Sequence, residues 1–149
     1  QWEATQTPLF KAPMKKILLL CTGNSCRSII AEALINQLGA GTILACSAGS
    51  KPTGFVHPRA IASLKRNGIA CAEPRSKSWD EFVGSSFDLL LTVCDNAANE
   101  TCPNFQGELK KLHWSIPDPA QAEGVDEVVD QAFDDVLQRL RERIEKELL

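Results

Sequence analysis

Eight consecutive residues, Cys21-Thr22-Gly23-Asn24-Ser25-Cys26-Arg27-Ser28, gather two thiols, three hydroxyls and a guanidinium into one short stretch. The apolar run from Lys16 to Leu20 before them reads as a buried parallel strand. Ile29 to Leu38 after them reads as a helix closed by Gly39. A cysteine and an arginine with five residues between them, in a loop between strand and helix, suit capture of a tetrahedral oxyanion. Main-chain N–H groups of the loop and of the first helical turn can converge on such an anion. Arg27 adds a planar, permanently charged fork for two of its oxygens. The same positive surroundings are expected to lower the pKa of Cys21 and make it a thiolate nucleophile. Ser28 is placed to donate its hydroxyl to that sulfur. Gly23 lets the loop turn, and Asn24 tolerates left-handed backbone.

Three further residues have the chemistry to work with this loop. Asp118, stiffened between Pro117 and Pro119, can give a proton to a departing oxygen. Cys94 and Cys102 lie in a polar loop and are too far apart for the close C-x2-C pairs of a structural zinc site. They suit resolving thiols, one attacking an adduct and the other attacking the disulfide that results. Cys26, Cys46 and Cys71 read as packing residues, although Cys26 is near enough to trap Cys21 in an off-pathway disulfide. His57 and His113 have no motif partners and read as structural or surface residues.

The elements that must hold these groups follow from patterning. Ile30, Leu34 and Leu38 form one helical stripe. A second strand is expected over 42–46, ending at a turn of Ser47-Ala48-Gly49. Pro58 opens a helix that Gly68 stops, and Ser78 caps a short helix over 78–83. Strands are expected over 87–93 and 111–116, with a weak apolar bridge at 69–72 and a helical turn at 96–99. Asp126 is expected to cap a long terminal helix with an apolar stripe of Val129, Phe133, Val136, Leu137, Leu140 and Ile144. Alternating strands and helices predict a doubly wound parallel sheet of four strands, with helices on both faces. Such sheets bind ligands beyond the carboxyl ends of their strands. Cys21, Cys94 and Asp118 each follow a strand, so all three fall on that edge.

Length and composition set the frame. The chain of 149 residues is one domain, long enough to bury about two-thirds of its unfolded surface. A net charge of −3 disfavours nucleic-acid binding. Six cysteines without a regular framework fit reduced thiols in the cytoplasm better than a secreted disulfide scaffold. Residues 1–13, polar and aperiodic, read as a leader or appended tail outside the fold, with the domain spanning 14–149 and Met14 as its start. The four apolar residues after Lys16 are too few for a signal peptide, and no stretch is long enough to span a membrane.

The motif from Cys21 to Ser28, the Ser47-Ala48-Gly49 turn and the late Asp118-Pro119 resemble the low-molecular-weight tyrosine phosphatase superfamily. The segment from Thr92 to Pro103, with His113-Trp114 and Asp118-Pro119-Ala120, is similar to its bacterial arsenate reductase branch. The resemblance covers Met14 to the C-terminus. It implies a flavodoxin-like fold and a three-cysteine reduction of arsenate to arsenite for detoxification. Arsenate would bind the loop (Thr22, Gly23, Asn24, Ser25, Cys26, Arg27 and Ser28), with phosphate or sulfate as competitors. Cys21 would attack arsenic, Asp118 would protonate the leaving hydroxyl, and Cys94 and then Cys102 would relay the disulfide. The resemblance implies no bound cofactor and an external reductant, thioredoxin or else glutathione with glutaredoxin. A monomer is expected. Some relatives hold potassium near residues corresponding to Asn24, Glu32 and Ser47. This chain departs from them with Ser76-Lys77 near the place of a further acid, so an ammonium would replace the cation and no metal is expected.

The alternative is a phosphatase that hydrolyses phosphotyrosine through a phosphocysteine. It needs neither Cys94 nor Cys102, and it usually carries aromatic residues beside the acid. Here Pro119 and Ala120 follow Asp118, and the chain has no tyrosine. Weak phosphatase side activity is expected in either case. A third reading is an oxyanion-binding or redox-sensing module without turnover.

Overall fold

The computed structural model describes residues 14–71, 73–94 and 110–149. Residues 1–13, Ala72 and the segment 95–109 lie outside the described residues, and with them the leader reading, the turn at 96–99 and Cys102. Four strands, β1 (Lys15–Cys21), β2 (Ile43–Gly49), β3 (Leu89–Thr92) and β4 (Lys110–His113), form one sheet in the order β2-β1-β3-β4. Every pairing is parallel. Among the described residues three α-helices accompany them, α1 (Arg27–Leu38), α2 (Pro58–Arg66) and α3 (Asp126–Glu147), with 3-10 turns at Trp79–Phe82 and Pro119–Gln121. This is the doubly wound, flavodoxin-like arrangement that the alternation of elements predicts.

Side chains alternate across a strand. Ile17, Leu18, Leu19 and Leu20 are all buried to within 1% of complete, so both faces of β1 are covered. Because the chain leaves β1 toward β2 and returns on the other side as β3, the carboxyl ends of β1 and β3 form the switch point where such sheets bind ligands. The loop from Cys21 and the residue Cys94 sit at those two ends.

Several boundaries move. Helix α1 begins at Arg27, two residues before the expected start, so the arginine belongs to its first turn. Strand β2 continues through Ser47-Ala48-Gly49, which pairs with β1 up to Cys21↔Gly49 instead of turning. Those three residues are small enough to lie flat against the loop that follows β1. The two later strands are shorter than expected, and Trp114 and Ile116, just beyond β4, are buried. No strand forms at 69–71. Val125, not Asp126, occupies the N-cap of α3, and Asp126 is its first helical residue. The caps at Ser78 and the helix start at Pro58 stand as expected, and His57 Nδ1 accepts from the Arg59 N–H to cap α2.

Helix α3 buries Phe133, Val136, Leu137, Leu140 and Ile144, and its polar side is tied to α2. Arg59 reaches Asp126 at 2.8 Å and Asp130 at 2.6 Å, while Arg66 meets Asp134 at 2.8 Å. Ser63 donates its hydroxyl to the same Asp134 carboxylate. Burial opposes ionisation of Asp134, but Arg66, Ser63 and Asn67 outweigh it and hold its pKa below the usual carboxylate value. A carboxylate depressed in this way stabilises the fold above its unfolded-state pKa, and that contribution is lost as pH falls through the folded value. Asp134→Asn is therefore expected to lower the unfolding free energy by about 1 kcal/mol at neutral pH. The difference should shrink as pH falls through the depressed folded-state pKa, as urea titrations at neutral and at acid pH would read.

Candidate active site

The loop after β1 is held from outside by its carbonyl groups. Thr22 O accepts from Lys51 N at 3.0 Å, Gly23 O from Thr53 N at 3.0 Å, and Ser25 O from His57 N at 2.9 Å. The Ser76 hydroxyl adds a second bond to Gly23 O at 3.0 Å. With these carbonyls engaged on the outer side, peptide planarity turns the intervening N–H groups toward the inner face. The Asn24 N–H already lies there, 3.3 Å from Cys21 Sγ. No side chain caps the N-terminus of α1, so its first N–H groups add to the same concavity.

Asn24 fixes the shape of the loop. It is fully buried with φ at +48°, the left-handed region that asparagine tolerates better than most residues. Its Oδ1 accepts from Lys77 N at 2.9 Å, while its Nδ2 donates to Ser28 Oγ at 2.8 Å and to Ser47 Oγ at 3.0 Å. A backbone N–H can only donate, which fixes the amide orientation. Since Ser28 Oγ accepts from Asn24, its own hydrogen is free to point at Cys21 Sγ, 3.3 Å away. Ser47 passes its hydrogen to Glu32 in the same way. Gly49 supplies the clearance, because a Cβ there would stand 2.4 Å from Thr22 O and 2.9 Å from Cys21 O.

Cys94 sits against Cys21. Thr22 Oγ1, on the residue next to Cys21, lies 3.7 Å from Cys94 Sγ, and the Cys94 side chain is near enough to act on the Cys21 thiol. Among the described residues the cysteines are thiols, none of them in a disulfide. This pairing overturns the expected acidity of the nucleophile. Cys94 and then burial push the Cys21 thiol well above its ordinary pKa, and the Ser28 hydroxyl and Asn24 N–H pull it down only in part. The Arg27 guanidinium is turned away, donating to Ile116 O at 3.0 Å and facing Asp118 Oδ2 at 3.9 Å. Its Nε is buried and has no hydrogen-bond partner among the described residues, which leaves a charged donor for an oxyanion.

Asp118 stands on the far rim and caps the turn over Pro119–Gln121 by accepting from Ala120 N at 3.0 Å. Cys26, a packing residue as expected, points its thiol at that carboxylate, 3.9 Å away, and not at Cys21. Burial and the Asp118 charge raise its pKa. Lys77 places its ammonium 3.9 Å from Glu32 and bonds to Arg75 O at 3.0 Å, so a tethered cation lies beside the carboxylate that Ser47 contacts. His57 stacks on Phe133 with ring centroids 4.9 Å apart, a structural role. Thr22, Gly23, Asn24, Ser25, Arg27 and Ser28 are thus gathered in one concavity with Cys21, Cys94 and Asp118 around it. The steric demand at Gly49 and the supports from Lys51, Thr53 and Ser76 were not foreseen. The run of small residues at Ser47-Ala48-Gly49 was the visible sign.

Two measurements test this geometry. Gly49→Ala forces the loop away from β2, and phosphate affinity is expected to fall at least about tenfold by calorimetry, about 1.4 kcal/mol. Cys94→Ala removes the largest influence raising the Cys21 pKa. Iodoacetamide should then alkylate Cys21 faster at neutral pH than in the parent, because more of it is thiolate.

Comparisons with known proteins place the chain in a family. The family model for low molecular weight phosphotyrosine protein phosphatases matches residues 16–148. An arsenate reductase of Halalkalibacterium halodurans is 37% identical over 134 residues, 90% of this chain and 92% of that protein. The structure of an arsenate reductase in its phosphate-binding state superposes with a TM-score of 0.71 at 29% identity, covering 89% of this chain and 95% of the other. An arsenate reductase in the oxidized state superposes with a TM-score of 0.73 at 28% identity over the same shares. The chain belongs to the low molecular weight phosphotyrosine protein phosphatase family.

Proposed function

We propose that this protein is an arsenate reductase that converts arsenate to arsenite with its own thiols and an external dithiol. The observation that carries the reading is the Cys94 thiol placed beside Cys21, with its Sγ 3.7 Å from the Thr22 hydroxyl. A phosphatase, which finishes its reaction with water, has no use for a second thiol at that place.

The residues support each step. Arsenate enters the loop, where N–H groups and the Arg27 Nε take its oxygens. Cys21 starts as a thiol and passes its proton to an oxygen of the arsenate dianion. Its sulfur then attacks arsenic while Asp118 gives a proton to the departing hydroxyl, which leaves as water. Cys94 attacks Cys21 Sγ, the S–As electron pair stays with arsenic, and arsenic falls from the +5 to the +3 state as arsenite. A Cys21–Cys94 disulfide remains. Cys102 attacks Cys94 and releases Cys21, and an external dithiol reduces the Cys94–Cys102 bond. Thioredoxin is the reductant favoured by family similarity, with glutathione and glutaredoxin next. Phosphate and sulfate, of the same shape, are expected competitors. The Lys77 ammonium beside Glu32 supports a reaction that needs no metal. Among the described residues no helix is long and apolar enough to cross a membrane. A cytoplasmic monomer fits the reduced thiols.

Arsenate-dependent NADPH oxidation with thioredoxin and thioredoxin reductase tests the reading. The parent should turn over continuously, whereas Cys94→Ser and Cys102→Ser should each lose at least about 100-fold in rate. Failure with both reductant systems, with an aryl phosphate cleaved equally by the parent and both variants, would make the protein a phosphatase.

A further inference from the structure

We propose that the Cys21–Cys94 pair also reduces small hydroperoxides, using the same disulfide relay and the same external dithiol as arsenate. The inference rests on the assignment of Cys94 as the thiol that resolves Cys21. It starts from the placing of Cys94 just beyond β3, beside the end of β1, with its Sγ 3.7 Å from the hydroxyl of Thr22, the residue next to Cys21, before any oxyanion has bound. Arsenate is thus not needed to bring them together.

A hydroperoxide needs only an attacking sulfur and a partner thiol within reach. Cys21 Sγ attacks the terminal oxygen, the O–O bond breaks, and the alcohol (water from hydrogen peroxide) leaves with a proton. Cys21 is now a sulfenic acid. Cys94 Sγ attacks it, the S–O bond breaks, hydroxide leaves as water with the Cys94 proton, and a Cys21–Cys94 disulfide forms. Two electrons have passed from the thiols to the peroxide. The product is the disulfide that arsenate leaves behind, and it enters the same exchange.

The surroundings decide between the two thiols that could resolve Cys21. Cys26, five residues away in sequence, directs its sulfur to the Asp118 carboxylate and contacts Ser25 Oγ at 3.8 Å. Its pKa is raised by burial and by Asp118, which weakens it as a nucleophile. Cys94 is the thiol beside Cys21. The Ser28 hydroxyl and the Asn24 N–H, each 3.3 Å from Cys21 Sγ, stabilise the attacking thiolate. At 4% exposure Cys21 admits only a small peroxide.

The test gives hydrogen peroxide, without arsenate, to the full chain in the thioredoxin-coupled NADPH assay, with blanks lacking the protein. One NADPH should be consumed per peroxide, with a rate rising about tenfold per pH unit near neutrality as the Cys21 thiolate grows. Cys94→Ser should lose at least about tenfold. A second measurement needs no reductant: peptide mapping of Cys102→Ser after one equivalent of peroxide should find Cys21 joined to Cys94. Absence of peroxide-dependent turnover, a Cys21–Cys26 bond, or sulfinic acid on Cys21 would overturn the inference. Arsenate turnover in the same preparation separates that outcome from failure of the reductase reading itself.

Discussion

The site depends on one residue held in an unfavourable backbone conformation. Asn24 in the left-handed region costs about 1 kcal/mol relative to ordinary backbone, and four hydrogen bonds of its N–H and amide hold it there. Through those bonds the loop after β1 is joined to the first turn of α1, to β2 and to the segment at Lys77. The reversal at Asn24 brings the N–H groups to one side and the carbonyls to the other. Gly49 permits it, since any larger residue would meet the Thr22 carbonyl. The anion site is therefore formed before an anion arrives, which spares binding the cost of ordering a loop.

This explains how a chain of net charge −3 can bind a dianion. Global charge governs encounter, whereas a closed concavity is governed by what lies within a few ångströms. Inside are oriented N–H groups and the Arg27 Nε. The nearest acid bound into the loop network, Glu32, is balanced by Lys77. Asp118 is held facing the Arg27 guanidinium at 3.9 Å.

Much of this was legible in the sequence, because apolar runs of strand length and stripes of helix period are set by burial alone. The four strands, the ends of α2, and the placing of Cys21, Cys94 and Asp118 along one sheet edge came from that source. Local rules failed where a distant residue decides. Ser47-Ala48-Gly49 has the composition of a turn, yet it is strand, because β1 and the loop above it need a thin neighbour. Arg27 looked like a residue before the helix, since α1 begins without a side-chain cap. The acidity of Cys21 was misjudged for the same reason: the loop suggested a thiolate, but Cys94, supplied from the end of β3, and burial set the balance.

That reversal bears on how one scaffold serves two chemistries. In both, a cysteine attacks a tetrahedral oxyanion and an aspartic acid protonates the leaving oxygen, so the loop, the arginine and the acid are common needs. They part at the next step, where either water attacks the bound atom or a thiol attacks the sulfur. Attack on sulfur requires the second thiol within bonding reach of the first, and the flavodoxin-like strand order offers a place for it two residues beyond β3, beside the end of β1. Occupying that position with Cys94 raises the pKa of the nucleophile in the resting protein. Arsenate can bear this cost, because its dianion brings a base to the thiol it meets. In the proposed reaction the thiol that raises the Cys21 pKa is the one that completes the reduction, and both effects follow from its place beside Cys21.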